Sequence, residues 1–206
     1  MTFSLVARCS KTLALGVCVS TAIPAVGSAV PHVEAKIGAI ATQGQTNVLY
    51  GTNGLKLLKM GFSPQAALDA MLTEDLKREE RQIAIIDKDG RTAAFTGKQT
   101  LEWKEHLAGD NYVAAGNALV GAQVIAAMAQ TYEHSRGDLA ERLLRALEAG
   151  QEAGGDRRGR ASAALLVADK QLLPTRPVID LIVDEHQNPV AELRRVWQAF
   201  KKFSAL

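Results

Sequence analysis

The order of strand-like and helix-like segments constrains the fold of this chain more than any single motif does. Segments in which apolar and polar residues alternate fall into three groups along the 206 residues, and segments with helical spacing separate these groups. The order is strands, two helices, strands, two helices, strands and one helix. A parallel sheet needs a crossover after almost every strand, so this grouping favours antiparallel sheets with helices packed outside them. We therefore predict an α+β fold, formed by one domain covering residues 1–206.

Eight strands are predicted from alternation and turn signals. The clearest pair is a hairpin in which an isoleucine-rich strand leads into Asp87-Lys88-Asp89-Gly90, a turn whose glycine is available for positive φ. The predicted strands cover 3–8, 13–19, 36–42, 82–87, 91–96, 112–116, 162–168 and 178–184. Residues 97–111 follow neither period and are predicted to be irregular.

Five helices are predicted from helical spacing and capping residues. Ser63-Pro64 and Asp138 are typical of helix starts. The predicted helices run from Asn53 to Gly61, from Ser63 through Leu72, from 121 to 133, from Asp138 to Gly150, and from Asn188-Pro189 onward. The last helix carries an apolar stripe that suits either the core of the domain or a homodimer surface.

Composition excludes several classes of protein. Hydrophobic residues make up 47% and charged residues 22%, which is ordinary for a globular protein and argues against disorder. The net charge of +2 gives no overall field for nucleic acid or anionic lipid, and no run of about 18 apolar residues predicts a membrane span. We expect no nucleic-acid and no membrane partner.

The first thirty residues allow two interpretations. Arg8 and Lys11 precede an apolar stretch at 14–23, as in a secretory signal. Strand-like alternation already begins at 2–6, however, and Pro24 follows the stretch closely. The pattern therefore favours a hairpin in a cytoplasmic protein. A secreted or periplasmic location is the alternative.

Thr2 is a candidate nucleophile. An initiator Met before a small residue is normally removed, which would leave Thr2 with a free α-amine. A Thr hydroxyl is a poor nucleophile unless a base sits beside it, and an N-terminal Thr supplies that base from its own backbone. An α-amine, with a pKa of about 7.7 to 8.0, is a better base near neutral pH than a Lys side chain. Many chains begin Met-Thr for no catalytic reason, so the remainder of the sequence has to support this role.

A series of short motifs resembles the signatures of one bacterial family in the expected order. They are Met1-Thr2-Phe3-Ser4-Leu5-Val6-Ala7-Arg8, Ala25-Val26-Gly27-Ser28-Ala29-Val30-Pro31-His32, Ala41-Thr42-Gln43, Tyr50-Gly51 with Gly54-Leu55, Gly116-Asn117-Ala118-Leu119, and Ala153-Gly154-Gly155-Asp156-Arg157-Arg158-Gly159-Arg160 with Ser162-Ala163-Ala164-Leu165-Leu166. The family is the domain-of-unknown-function family DUF1028, which is placed with the N-terminal-nucleophile (Ntn) hydrolases. The resemblance spans nearly the whole chain.

The resemblance implies a four-layer αββα sandwich of two antiparallel sheets flanked by helices. It also implies amide-bond hydrolysis, in which Thr2 would attack the carbonyl with its own amine as base. The chain departs from the family pattern at Thr12-Leu13, where an acidic-Gly turn is missing, and at Ile23-Pro24. The resemblance implies no particular substrate, because fold alone does not specify function.

Acyl transfer needs hydrogen-bond donors for the developing oxyanion. Gly116 and Asn117 follow a predicted strand, and an Asn amide at that strand end would suit this role. We assign Asn117 to the oxyanion and Gly116 to the substrate site. An ordinary turn pair is the alternative.

Three further residues are candidates for substrate binding. His32 follows Pro31 at the end of a small-residue loop, where it would contact substrate or shuttle a proton. Thr42 and Gln43 end an apolar strand with two polar side chains. A solvent-exposed imidazole and an ordinary strand end are the alternatives.

The loop at 150–160 concentrates glycine and arginine. Arg158 and Arg160 are candidates for binding an anionic substrate, with Asp156 holding one of them in place. The loop lacks the Lys and Ser or Thr that a nucleotide-binding P-loop requires. A solvated charged loop or an intersubunit salt-bridge cluster is the alternative.

Metal and cofactor signals are weak. The four histidines include no His-x-x-x-His pair, and Cys9 and Cys18 have no metal or redox spacing. We expect no metal, no cofactor and reduced thiols, although a Cys9–Cys18 disulfide stays open.

The leading hypothesis is an Ntn-type amide hydrolase that acts on a small anionic amide. The alternative is a non-catalytic oligomeric or anion-binding scaffold with the same fold. In either case a homodimer is expected.

Overall fold

Two antiparallel sheets lie face to face, and helices cover the outer side of each. The computed structural model describes residues 2–169 and 178–204. The strands are β1 (Thr2–Arg8), β2 (Leu15–Thr21), β3 (Pro31–Glu34), β4 (Gly38–Gly44), β5 (Arg81–Asp87), β6 (Thr92–Thr96), β7 (Glu105–Gly109), β8 (Tyr112–Asn117), β9 (Ser162–Ala168) and β10 (Ile179–Val183). The α-helices are α1 (Leu49–Lys59), α2 (Pro64–Thr73), α3 (Gln123–His134), α4 (Leu139–Glu152) and α5 (Pro189–Ser204).

Within the described residues, the larger sheet has six strands in the order β10-β9-β2-β1-β8-β7, and the smaller has four in the order β3-β4-β5-β6. Every pair of neighbours is antiparallel. Strand β1 lies between β2 and β8, so the first strand of the chain is an interior strand of the larger sheet.

Three apolar layers hold the sheets and helices together. The outer face of the larger sheet packs against α3, α4 and α5, and the outer face of the smaller sheet packs against α1 and α2. Between the sheets lies an apolar layer to which Val6, Val17, Ala39, Ile86 and Val113 contribute. Two-residue periodicity explains this, because alternate residues of one strand point to opposite faces. The architecture is the predicted αββα sandwich, which is confirmed.

Two strands were missed by the sequence prediction. Strand β3 is only four residues long and begins with a proline. Strand β7 lies within the stretch 97–111, so the prediction that this whole stretch is irregular is wrong. It is an edge strand paired only with β8, and its exposed positions give it no apolar period. Helix α1 also begins at Leu49, earlier than the predicted Asn53.

The apolar stripe of α5 belongs to the core. Val190, Leu193 and Trp197 are buried against the larger sheet and α4. Arg194 binds Glu141 and Glu148 of α4 and fixes the helix further. The alternative that this stripe forms a homodimer surface is therefore not what the structure shows.

The cysteines are both free thiols. Within the described ranges, no helix combines the length and the apolar character needed to cross a membrane.

Candidate functional site

Five strands turn polar at the same end of the layer between the two sheets. The side chains that we call the polar end are Thr2 of β1, Thr21 of β2, Gln43 of β4, Gln82 of β5 and Asn117 of β8. Each is at most 4% exposed. They occupy the strand faces that carry Val6, Val19, Ala41, Ala84 and Ala115 further along, all in the layer between the sheets. The residues of the polar end therefore face one another across this layer.

Thr2 lies at the centre of this end of the larger sheet. It pairs with Asn117 across the β1–β8 ladder, and its Oγ1 donates to Thr21 Oγ1 on β2 at 3.3 Å. Directly opposed residues in antiparallel strands have Cβ atoms about 4.5–5.5 Å apart. The side chains of Thr2 and Asn117 are thus neighbours.

Gln82 connects the two sheets at the polar end. Its Nε2 donates to the carbonyl oxygens of Gly116 at 2.8 Å and Glu105 at 3.0 Å, and to Thr96 Oγ1 at 2.9 Å. Its Oε1 accepts from Asn117 Nδ2 and Gln43 Nε2, both at 2.8 Å. One amide therefore holds both neighbouring amides in place.

The direction of this network follows from the two backbone carbonyls. A carbonyl oxygen only accepts, so the nitrogen of Gln82 must face Gly116 and Glu105 and its oxygen must face Asn117 and Gln43. Both partners then have to present their nitrogens to Gln82. This leaves Asn117 Oδ1 and Gln43 Oε1 buried and without a hydrogen-bond partner.

This pattern differs from the one expected of an oxyanion donor. The atom of Asn117 that lacks a partner is an acceptor, and its nitrogen already donates to Gln82. An acceptor cannot stabilise a developing negative charge. The hydrogen bonding of Asn117 therefore does not support the predicted oxyanion role.

Asp156 and Arg158 stand beside the polar end. Asp156, 3% exposed, accepts from the backbone N–H of Ala22 at 3.2 Å, just after β2. It also accepts from the backbone N–H of Arg158 at 2.9 Å and from Arg158 Nη2 at 2.8 Å. Asp156 thus holds the Arg158 side chain, the arrangement that the sequence analysis expected for one arginine of this loop.

A cavity of about 310 Å³ opens at this position, within the usual size range of small-molecule pockets. Its walls come from the segments that follow β2, β4, β8 and α4, and from the loop between β6 and β7. Its lining residues are Ile23, Gly44, Gln45, Glu80, Gln99, Thr100, Leu101, Asn117 and Arg158.

The chain bends sharply where the smaller sheet meets this cavity. Gly44 has φ +85°, and a Cβ on it would lie 2.5 Å from the carbonyl oxygen of Glu80. Only glycine fits this position without displacing the backbone.

Four of the predicted site residues lie elsewhere. Thr42 points to the other face of β4, where its hydroxyl donates to Asn47 O. The Cα of Gly116 faces Leu119 and Ile125 on the helix side of the larger sheet, although its carbonyl accepts from Gln82. Arg160, an exposed residue, lines a separate cavity of about 240 Å³ together with residues of α4 and α5. The predicted pair of anion-binding arginines is therefore divided between two cavities.

His32 is the fourth of these residues and lies beneath α1. A Cβ on Gly51 would come within 1.8 Å of the imidazole, so the helix approaches the ring as closely as glycine allows. Its Nε2 is buried without a partner, and burial lowers the pKa of His32 below its ordinary value. The structure does not bring His32 to Thr2.

The sequence analysis missed Gln82 and Thr21. Each occupies a strand position whose parity matches the apolar residues between the sheets. A polar residue at such a position is the signal that would have identified them. Polar side chains are seldom fully buried, and those that are usually belong to a hydrogen-bond network.

A second, larger cavity lies outside the smaller sheet. It measures about 550 Å³ and runs between α1 and α2, and its lining includes none of the predicted site residues. In the part of the chain that the structure describes, no group of three or more His, Cys, Asp or Glu residues is arranged to hold a metal ion.

Comparison with known proteins identifies the family. The model of the family of unknown function DUF1028 matches residues 2–193. The crystal structure of a Silicibacter pomeroyi protein assigned to DUF1028 is similar, with a TM-score of 0.88 and 33% identity, covering 96% of this chain and 88% of that chain. Anbu (ancestral beta-subunit) from Yersinia bercovieri has a TM-score of 0.42 and 10% identity, covering 100% of this chain and 98% of that chain, which is too low to bear on function. No curated protein matches the chain. This chain belongs to the family of unknown function DUF1028.

Proposed function

We propose that this protein is an N-terminal-nucleophile amide hydrolase that acts on a small anionic amide. The observation that carries the proposal is the position of Thr2. Its hydroxyl lies at the polar end, among buried groups that form hydrogen bonds but carry no charge, and its ladder partner Asn117 lines a cavity of about 310 Å³. A buried polar cluster with unpartnered atoms costs stability, so its presence beside a cavity supports a chemical role.

The reaction starts with removal of Met1, which lies outside the described residues. The α-amine of Thr2 takes the hydroxyl proton while Oγ1 attacks the carbonyl carbon of the substrate. The C–N bond then breaks, and the leaving amine receives that proton. The resulting ester on Thr2 is hydrolysed by water, which releases a carboxylate and restores the hydroxyl.

Arg158 supports the preference for an anionic substrate. Its guanidinium lines the cavity, and the charge-assisted contacts with Asp156 fix its position. A fixed guanidinium binds a carboxylate at little entropic cost. We assign substrate binding to Arg158 and Gln43, and give Asp156 a positioning role.

Asn117 enters the proposal as an acceptor. Its Oδ1 has no partner in the part of the chain that the structure describes, and it belongs to the residue that pairs with Thr2. It suits an N–H group in the site better than an oxyanion.

The positions of β1 and β2 argue against cleavage of residues 1–29 as a signal segment. Removal of a signal segment ending near residue 29 would delete β1 and β2, two interior strands of the larger sheet. The sandwich has no other strands in the described ranges to replace them.

The test combines the N-terminal state of the protein with activity. Intact mass and N-terminal sequencing of the native protein should show a chain that begins at an unblocked Thr2. Amine release from a panel of N-acyl amino acids and other carboxylate-bearing amides should be lost in Thr2→Ala and retained in part in Thr2→Ser. A retained Met1, or equal activity in Thr2→Ala and wild type, would contradict the proposal and favour a non-catalytic scaffold.

A further inference from the structure

Two acceptors at the polar end have no donor among the described residues. Asn117 Oδ1 and Gln43 Oε1 are buried and unpartnered, and both residues are only 1% exposed. A buried amide oxygen without a donor costs about 1–3 kcal/mol. Gln82 orients both amides through their nitrogens, so the two free oxygens form a binding position for an N–H donor.

The fixed orientation of Gln82 creates this binding position. If Gln82 were rotated, its oxygen would face the carbonyl oxygens of Gly116 and Glu105, which repel it. The backbone of the larger sheet therefore determines the direction of Gln82, and Gln82 determines the direction of Asn117.

The residue opposite Asn117 in the β1–β8 ladder offers such a donor, the amino group of Thr2. The side chains of both residues face the layer between the sheets. When Met1 is removed, the Thr2 nitrogen becomes a primary amine at the end of β1. A primary amine has donors for an amide oxygen and a lone pair for the hydroxyl proton.

We propose that Gln82 is a positioning residue, which turns Asn117 Oδ1 toward the α-amine of Thr2 so that the two form a hydrogen bond. This inference rests on the proposed function. The hydrogen bond orients the amine beside Oγ1 and stabilises the ammonium that forms when the amine takes the hydroxyl proton. Asn117 thus acts on the base and not on the oxyanion.

The charged groups around the cavity are few. The lining includes two charged residues, Glu80 and Arg158, and Arg158 is paired with Asp156. The polar end itself contains only hydroxyls and amides. Variants at Asn117 and Gln82 leave these charges unchanged, so a difference in the pKa of the amine between variants reports on the amide network.

The experiment measures the pKa of the α-amine directly and needs no substrate. The protein is labelled with ¹³C-threonine, and the Cα shift of Thr2, which follows the charge of its amine, is recorded with pH in folded protein. Asn117→Asp places a negative charge beside the amine and should raise its pKa by about 1 unit or more. Asn117→Leu removes the acceptor and should lower the pKa by about half a unit, since hydrogen bonding to the charged form favours it.

Gln82→Leu tests the positioning role. Asn117 is then free to rotate, and the pKa of the amine should fall as it does in Asn117→Leu. Asn53→Asp, an exposed position on α1, adds the same charge far from the site and serves as the matched control, with a shift below about 0.2 units.

Each outcome decides the inference. A pKa that stays at the wild-type value in Asn117→Asp overturns it, and if that variant fails to fold, an unchanged pKa in Asn117→Leu does so. A shift in Asn117→Leu without one in Gln82→Leu overturns the positioning role of Gln82. A retained Met1, seen by mass before the titration, overturns the proposed function and this inference with it, so the two failures are distinguishable.

Discussion

The two ends of the layer between the sheets are built by the same five strands but differ in chemistry. At one end the strands contribute Val6, Val17, Ala39, Ile86 and Val113, and at the other Thr2, Thr21, Gln43, Gln82 and Asn117. The apolar end stabilises the fold by removing hydrocarbon from water. The polar end forms hydrogen bonds but also contains buried acceptors without a donor, and each of these costs stability. The difference teaches that burial of hydrocarbon accounts for one end, whereas the other carries polar atoms that stability alone does not explain.

The largest loss of stability is expected when an amide side chain is introduced at the apolar end. Ile86→Asn should destabilise the protein by about 4 kcal/mol or more, because it removes buried hydrocarbon and adds an amide without partners. Ile86 is fully buried between the sheets. Urea unfolding followed by circular dichroism measures the change. A loss below about 1 kcal/mol would mean that this layer tolerates amides anywhere, and the comparison would fail.

Replacing an amide of the polar end by an apolar side chain should destabilise the protein less. Gln82→Leu adds hydrocarbon but removes five hydrogen bonds and leaves carbonyl oxygens buried without donors. We expect a loss of about 2–3 kcal/mol, since each orphaned buried group costs about 1–3 kcal/mol and added burial offsets part of it. Gln65→Leu on the exposed face of α2 is the control, with a change within about 0.5 kcal/mol. Equal losses in the two variants would show that the network has no structural role.

Acid should destabilise the protein through groups outside the layer between the sheets, because the polar end contains no titrating side chain. Burial alone would raise the pKa of Glu141 on α4, but hydrogen bonds from Arg194, Trp197 and Arg145 lower it to about 2. A carboxyl whose pKa is depressed on folding contributes stability above its unfolded pKa, near 4.3, and loses it as pH falls toward 2.

Glu141→Gln should therefore flatten the fall in stability between about pH 4.5 and 2, and should cost about 1 kcal/mol at pH 7 after allowance for solvent screening. Urea midpoints at several pH values measure both effects. An unchanged pH profile would place the acid-sensitive group elsewhere. The control is Glu152→Gln, a change on α4 outside this network of ion pairs, which should leave the profile as it is.

The smallest effect separates two serines on neighbouring strands. Ser20 and Ser4 are both fully buried, but Ser20 Oγ donates to Ser162 O at 3.1 Å whereas Ser4 Oγ has no partner. Ser20→Ala should lose about 1 kcal/mol, and Ser4→Ala should be neutral or slightly stabilising. Thermal unfolding of the two variants resolves the difference. If Ser4→Ala is as destabilised as Ser20→Ala, the hydroxyl of Ser4 has a partner that the comparison does not include.

The sequence predicted the fold better than the site, and the reason is physical. Alternation and helical spacing are local, so the grouping of strands and helices could be read directly, and only short or exposed strands such as β3 and β7 escaped. Thr2 and Asn117 were also accessible, because strand ends are local features. The hydrogen bonds of Gln82 with Asn117 and Gln43 could not be predicted, since they depend on the order of strands in two sheets and on which face of β5 turns inward.

The same limit explains the wrong grouping of Arg158 and Arg160. They are two residues apart, and proximity in sequence suggested one anion site. The turn that begins at Asp156 directs Arg158 into the cavity and leaves Arg160 at another surface. Nothing in the composition of the loop indicates that division.

The interior position of β1 imposes an order on the synthesis of the protein. Thr2 becomes 4% exposed only when β1 has joined both β2 and β8, and β8 ends at Asn117. The chain grows from its amino terminus, so β1 can pair with β8 only after more than half of the sequence has been synthesised. The contact between Thr2 and Asn117 has a long sequence separation, and such contacts form slowly. One edge of β1 therefore stays unpaired on the nascent chain until β8 has been synthesised.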